Sequence, residues 1–117
     1  MKSMEIIYHV CEWDEMMTCP VMSKDGKASC ALYSHKEQPE VLILANLYVD
    51  PSRRKEGCAK ELLRFSEKFA QERGYESIKL KADLAAWMRS WYEREGFVFD
   101  ALDDDDLFFA WFKKSVA

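Results

Sequence analysis

No stretch of the chain approaches the roughly 18 consecutive apolar residues of a membrane span, and the first twenty residues lack the basic start and apolar run of a secretory leader. The expectation is a cytoplasmic protein with no membrane partner. The four cysteines, Cys11, Cys19, Cys30 and Cys58, contain no Cys-x-x-Cys pair, and a reducing compartment keeps such thiols free. A zinc site from Cys11, Cys19, Cys30 and His35 has irregular spacing, so no metal is expected. A basic excess is also missing, since 17 Lys and Arg stand against 21 Asp and Glu for a formal charge of −4. That balance argues against direct nucleic-acid binding. Repeats and linkers are absent, and 117 residues are too few for two full domains, so residues 1–117 read as one domain. What is present suits a packed core: 49% apolar residues, 32% charged, and seven Phe, five Tyr and four Trp.

Partial alternation over residues 4–12 predicts a first strand. Asp25-Gly26 predicts a type I′ hairpin joining residues 17–24 to 27–34. After a turn at 37–39, Val41–Val49 is apolar except for Asn46, the pattern of a strand buried on both faces. Pro51 ends it. Ala59, Leu62, Leu63, Ser66, Phe69 and Ala70 then recur at helical spacing, with Glu56–Lys60 and Lys68–Glu72 as i,i+4 pairs and Gly74 as the C-terminal cap. Ile78, Leu80 and Ala82 mark a further strand. Residues 84–95 read as a short helix ended by Gly96, and 97–102 with 107–112 as a terminal hairpin across Asp103–Asp106. The order predicts an α/β fold with a mixed sheet and one crossover helix between parallel neighbours.

The segment where the central strand meets the long helix is Leu47-Tyr48-Val49-Asp50-Pro51-Ser52-Arg53-Arg54-Lys55-Glu56-Gly57-Cys58-Ala59. A helix start offers backbone N–H groups with no intrahelical acceptor and a partial positive charge, so it attracts phosphate. Gly57 permits close approach of a ligand, Ala59 keeps the first turn thin, and Arg53, Arg54 and Lys55 supply mobile positive charge. Residues 52–73 hold seven basic side chains against four acidic ones inside an acidic chain. Taken alone, the segment reads sooner as an ordinary strand-turn-helix with a solvated basic corner.

Val49-x-Pro51 followed by Arg54-x-x-Gly57-x-Ala59 resembles the coenzyme motif of the GNAT superfamily of acyl-coenzyme A dependent N-acyltransferases. Tyr92-Glu93-Arg94-Glu95-Gly96-Phe97 is similar to that family's later helix-to-strand signature. The resemblance implies a GNAT-like fold and an N-acetyltransferase that moves acetyl from acetyl-coenzyme A directly to a primary amine. It implies that Leu47, Tyr48, Val49, Arg53, Arg54, Lys55, Gly57, Cys58 and Ala59 bind the coenzyme, with backbone N–H near 47–49 holding the oxyanion. Tyr92 would protonate the leaving thiolate; on its own it reads as a packing aromatic beside Trp91 and Trp87. Departures are equally legible. The two helices that members carry after the first strand have only residues 12–20 to occupy, so the N-terminal half is abbreviated. Ala85 stands where an asparagine is common, and Val41–Val49 holds no glutamate base.

Asp100 and Asp103–Asp106 are either a solvated hairpin tip or a lure for a cationic acceptor, a polyamine or a basic protein segment. Cys58 as a nucleophile lacks a nearby histidine. The rival readings are a non-catalytic coenzyme A-binding or protein-interaction domain, and a homodimer through the C-terminal hairpin, in which Phe108, Ala110 and Phe112 make both faces apolar.

Overall fold

The structure, a computed structural model, describes residues 4–84 and 87–117; Ala85 and the side chain of Trp87 lie outside the described residues. Strands β1 (Ile6–Tyr8), β2 (Cys11–Glu12), β3 (Met16–Ser23), β4 (Ala28–His35), β5 (Val41–Val49), β6 (Ser77–Asp83), β7 (Val98–Leu102) and β8 (Phe109–Ser115) form one mixed sheet. Its order is β1-β3-β4-β5-β6-β8-β7, with β2 also on β3. Helix α1 (Cys58–Glu72) connects β5 to its parallel neighbour β6, and α2 (Trp87–Arg94) leads from β6 towards β7. Both crossovers step the same way along the sheet, so the right-handed rule puts both helices on one face. Arg64 and Lys60 of α1 pair with Glu95 just past α2, consistent with that side-by-side arrangement.

The first strand is broken at His9–Val10, where the His9 N–H reaches Pro20 O (3.2 Å). Only Trp13–Glu15 separate β2 from β3, closed by the Trp13 N–H to Met16 O bond (2.8 Å), so no helix intervenes there. The turn at Asp25-Gly26 is not type I′. Only Gly26 has positive φ (76°), the Gly26 N–H donates to Ser23 O (2.9 Å), and the Asp25 carboxylate accepts from Ser23 Oγ (2.6 Å). An aspartate side chain that closes its own turn removes the need for left-handed backbone at its own position.

Strand alternation sends Leu32, Leu42, Leu44, Ile78, Leu80 and Phe112 to the helix-covered face, where they are buried with Leu62 and Leu63 of α1. The hydrophobic face of α1 is thus the one the sequence marked. Lys68–Glu72 pairs (3.9 Å), but Glu56 precedes the helix and pairs with Arg53 instead of Lys60. Strand β5 is not buried along its whole length. Its parallel pairing with β6 covers Val41–Leu44 only, and beyond that point Asn46 and Tyr48 are exposed. Ala110 and Phe112 are fully buried, because β8 inserts between β6 and β7. The large apolar side chains that the hairpin strands do expose are instead Val98, Phe99 and Leu102 of the edge strand β7. Phe108 (75% exposed) precedes β8 in the loop.

The helix-to-strand signature has a structural explanation. The Phe97 N–H donates to Tyr92 O (3.1 Å), the Gly96 N–H to Glu93 O (3.1 Å), and the Tyr92 and Phe97 rings meet at 5.9 Å. This is a Schellman end with its apolar clasp, which fixes Tyr92, Gly96 and Phe97 at that spacing. Helix α1 ends the same way, through Gly74 N–H to Gln71 O and Tyr75 N–H to Ala70 O. At Gly96 φ is 99°, and an added Cβ would lie 3.1 Å from Lys114 Cε. Lys114 Nζ itself caps the helix end at Glu95 O (2.8 Å) and pairs with Glu67 (2.9 Å). Gly96→Ala should accordingly cost about 1–2 kcal/mol from the left-handed backbone alone, and more from the displaced lysine, read as a lowered urea midpoint at unchanged slope.

Candidate active site

Asn46 (φ 55°) is where β5 bulges: the pairing with β4 shifts between Ser29↔Tyr48 and Ala31↔Ala45, so an extra residue is accommodated. Asparagine tolerates that left-handed backbone better than its apolar neighbours in β5 would. The bulge falls just past Leu44↔Leu80, the last pair with β6, and from there the two parallel strands part. Among the described residues, the backbone of Leu47–Val49 has no strand partner on the β6 side. A wedge opens between the strand ends.

The wedge is the mouth of a cleft of about 600 Å³, lined by Leu47, Tyr48, Val49, Arg53, Arg54, Lys55, Gly57, Cys58, Ala59, Lys60, Met88 and Trp91. All nine residues that the resemblance assigned to the coenzyme border this one cleft. Met88 and Trp91 were not assigned to it, although they lie three residues apart on one face of α2, as cleft-facing residues of a helix must. One wall is apolar, from Leu47, Val49, Met88 and Trp91. The other carries four basic side chains and the start of α1.

That helix start has the geometry that the sequence suggested. Gly57 is the N-cap in left-handed conformation (φ 82°), no side chain caps the helix, and the first intrahelical bond goes from the Glu61 N–H to Gly57 O (3.0 Å). The earlier amides at Cys58, Ala59 and Lys60 border the cleft. A 3-10 turn at Pro51–Arg53 precedes them, capped by Asp50, whose carboxylate takes both the N–H and Oγ of Ser52 and is held below its ordinary pKa by those bonds.

The basic side chains are less mobile than their sequence suggested. Arg53 pairs with Asp25 of the β3–β4 turn and with Glu56 (3.1 Å), and its Nη2 lies 3.6 Å from Cys58 Sγ. Arg54 Nε donates to Val49 O (3.1 Å), so this guanidinium buttresses the turn. Lys55 has no ion-pair partner among the described residues and takes positive φ (67°). Cys58 is buried, and no histidine lines the cleft beside it among the described residues.

Tyr92 is not in the cleft lining. It is 4% exposed beneath Trp91 (rings 5.1 Å apart) and against Phe97, and its hydroxyl makes none of the hydrogen bonds found among the described residues. Burial, with a contribution from Cys30, pushes its phenol up to about 12. The Cys30 thiol is likewise pushed up to about 11 by burial, which outweighs the opposing effect of the nearby Ser66 hydroxyl. Both groups keep their protons longer in the folded chain than in the unfolded one. Above pH 9 the unfolded state therefore binds fewer protons, and stability must fall as pH rises from about 9 to 12. Urea midpoints across that range should drop, and Cys30→Ala should remove the early part of the loss.

The acidic hairpin is largely committed. Asp100 pairs with Lys79 (3.0 Å), Asp103 is buried against Trp111 Nε1 (3.2 Å) and Lys81 (3.7 Å), and Asp106 accepts from the Phe108 N–H (3.0 Å). Asp104 and Asp105 are exposed and have no partner among the described residues. The four residues weighed as a zinc site are split by the sheet, because Cys19 and Cys30 face the helices while His35 pairs opposite Met16 on the other face. No group of three or more His, Cys, Asp or Glu among the described residues could hold a metal ion. Among the described residues no helix is long and apolar enough to cross a membrane.

Comparison with known proteins adds an independent line. Curated protein sequences include none that matches this chain. Solved structures share its fold. The ribosomal-protein-S18-alanine N-acetyltransferase from Escherichia coli superposes with a TM-score of 0.69 at 15% identity, over 91% of this chain and 72% of that one. The PaiA N-acetyltransferase from Thermoplasma acidophilum, solved with coenzyme A, gives 0.69 at 17% identity, over 86% of this chain and 61% of that one. The IAA acetyltransferase from Bacillus cereus gives 0.67 at 10% identity, over 95% and 99%. The acetyltransferase (GNAT) domain family matches residues 7–99, most of the length. The chain belongs to the GNAT acetyltransferase family.

Proposed function

We propose that the chain is an N-acetyltransferase that takes acetyl from acetyl-coenzyme A and passes it directly to a primary amine on a cationic acceptor, a lysine side chain or N-terminus in a basic protein segment or a polyamine. One observation carries the reading: the 600 Å³ cleft joins an uncapped helix start and basic side chains to an apolar wedge between parting parallel strands. A ligand with phosphates at one end and a slender thioester arm at the other matches that division. The phosphates meet the amides of Cys58–Lys60 with Lys55 and Lys60, and the arm runs along Leu47–Val49 towards Trp91, beneath which Tyr92 lies.

In the reaction the free amine attacks the thioester carbonyl, unpaired N–H groups of Leu47–Val49 receive the developing oxyanion, and the C–S bond breaks. Tyr92 gives its proton to the departing thiolate, the nitrogen of the tetrahedral adduct loses its extra proton to solvent, and the phenolate regains one from solvent. No carboxylate or histidine lines the cleft among the described residues. A lysine-like amine then has to lose its proton at a cost of about 4–5 kcal/mol at pH 7. Asp104 and Asp105 are the carboxylates left to attract the acceptor; they aid capture and oppose deprotonation, since a nearby negative charge raises an amine pKa.

A second reading, a coenzyme A-binding domain without catalysis, is favoured by the absence of a base from the cleft lining and by the burial of Tyr92. The two part in one experiment. Acetyl-coenzyme A at 100 times its Kd should stabilise the fold by about 2.7 kcal/mol, and thiol release with polyamines or basic peptides should follow. A shift without release leaves the binding domain; no shift at millimolar ligand removes both readings.

A further inference from the structure

Helices α1 and α2 lie on one face of the sheet, and the opposite face of β1, β3, β4 and β5 is largely apolar and carries no helix among the described residues. Antiparallel strands with one solvated face alternate apolar with polar residues, but here six outward positions are Ile7, Pro20, Met22, Tyr33, Ile43 and Tyr48; Met16 and His35 face the same way where β3 and β4 pair at one end, Val41 does so but is buried, and the rest are small. Ile7, Met22 and Tyr48 are 50%, 40% and 50% exposed, and none of the six belongs to the core cluster or packs against it. No Asp, Glu, Lys or Arg occupies an outward position of these four strands; charge begins only at β6, with Lys79 and Lys81, and continues at Lys113 of β8.

We propose that this face is a homodimer interface, two copies stacking sheet on sheet about a two-fold axis. An uncharged surface meets its own copy without like-charge repulsion, the condition a self-complementary interface requires. The area suits a weak dimer. Three strands of eight or nine residues, about 26 Å long, and the three-residue β1, at about 4.8 Å spacing, give a footprint of roughly 420 Å² per copy, hence about 850 Å² for both before side-chain relief is added. That is the size of a weak interface, and aligned packing of twisted sheets about 10 Å apart is an ordinary arrangement. Tyr48 lies on this face and also borders the cleft, so the second copy would extend the wall beside the cleft. The inference stands apart from the acetyl-transfer reading, because it rests on the outward strand positions alone.

Sedimentation equilibrium of the full chain tests it. At 50–100 μM (about 10⁻⁴ M, a weak-dimer regime) the wild type should sediment as a dimer. Met22→Lys, at an exposed position, and Tyr33→Lys should each raise the dimer Kd at least about tenfold with circular dichroism unchanged and with the Tm of the dilute, monomeric protein unchanged. Phe108→Lys, on the exposed C-terminal loop, should leave the dimer intact. A monomeric wild type overturns the proposal. So does a dimer that persists in Met22→Lys but dissociates in Phe108→Lys, since that would place the interface on the hairpin. If Tyr33→Lys does not fold, Met22→Lys alone decides.

Discussion

Tyr92→Phe should reduce kcat by about 10²–10⁴, the range for removal of a general acid, while leaving the acetyl-coenzyme A thermal shift unchanged. Phenylalanine keeps the ring contacts with Trp91 and Phe97 and removes only the hydroxyl. The size of the effect depends on proton affinity. A phenol near 12 facing a thiolate of ordinary pKa about 8.5 would give up its proton uphill by about 5 kcal/mol, too much for a useful acid. The buried surroundings change that comparison. Burial pushes the neighbouring Cys30 thiol up to about 11. A thiolate released in similarly desolvated surroundings would be raised in the same direction, which narrows the gap between donor and acceptor. Because Tyr92 stays protonated to about 12, the wild-type rate should keep rising with pH as the acceptor amine deprotonates. An unchanged rate in the variant assigns the proton to another group, and simultaneous loss of rate and thermal shift makes the residue structural.

Gly57→Trp should abolish the thermal shift by acetyl-coenzyme A, corresponding to at least a hundredfold loss of affinity. The indole would stand where the phosphates must approach the helix amides. The fold should survive: left-handed backbone costs a side chain about 1–2 kcal/mol, and a chain of 117 residues holds roughly 6–18 kcal/mol. Gly57→Ala carries the same backbone strain with little bulk and should keep most of the shift. Isothermal titration of the two variants separates strain from blockage, and equal binding by wild type and Gly57→Trp would remove the phosphate site from this corner.

Much of this was legible in the chain because it depends on local physics. Val41–Val49 had to be a strand, the apolar spacing from Ala59 to Ala70 had to be a helix, and Pro51, Arg54, Gly57 and Ala59 stand at fixed offsets across one turn. The spacing of Tyr92, Gly96 and Phe97 follows from a helix end that closes on itself within six residues. Such features need only neighbouring backbone, and periodicity or a glycine marks them.

Tertiary structure decided what depends on distant partners. The charge available at Arg53 was settled by Asp25, 28 residues away across the sheet, and the supply of free carboxylates in the hairpin by Lys79, Lys81 and Trp111. The insertion of β8 between β6 and β7 buried Ala110 and Phe112, which hairpin alternation alone left exposed. The parting of β5 from β6 at Asn46, and the burial that moves Tyr92 to about 12, follow from how the strands diverge and from what covers them. Patterning sets which side of each element is apolar. Whether that side meets a helix, a neighbouring strand or open water is settled only when the sheet is assembled, and there, among the described residues, one face received α1 and α2 and the other, from β1 to β5, received no helix.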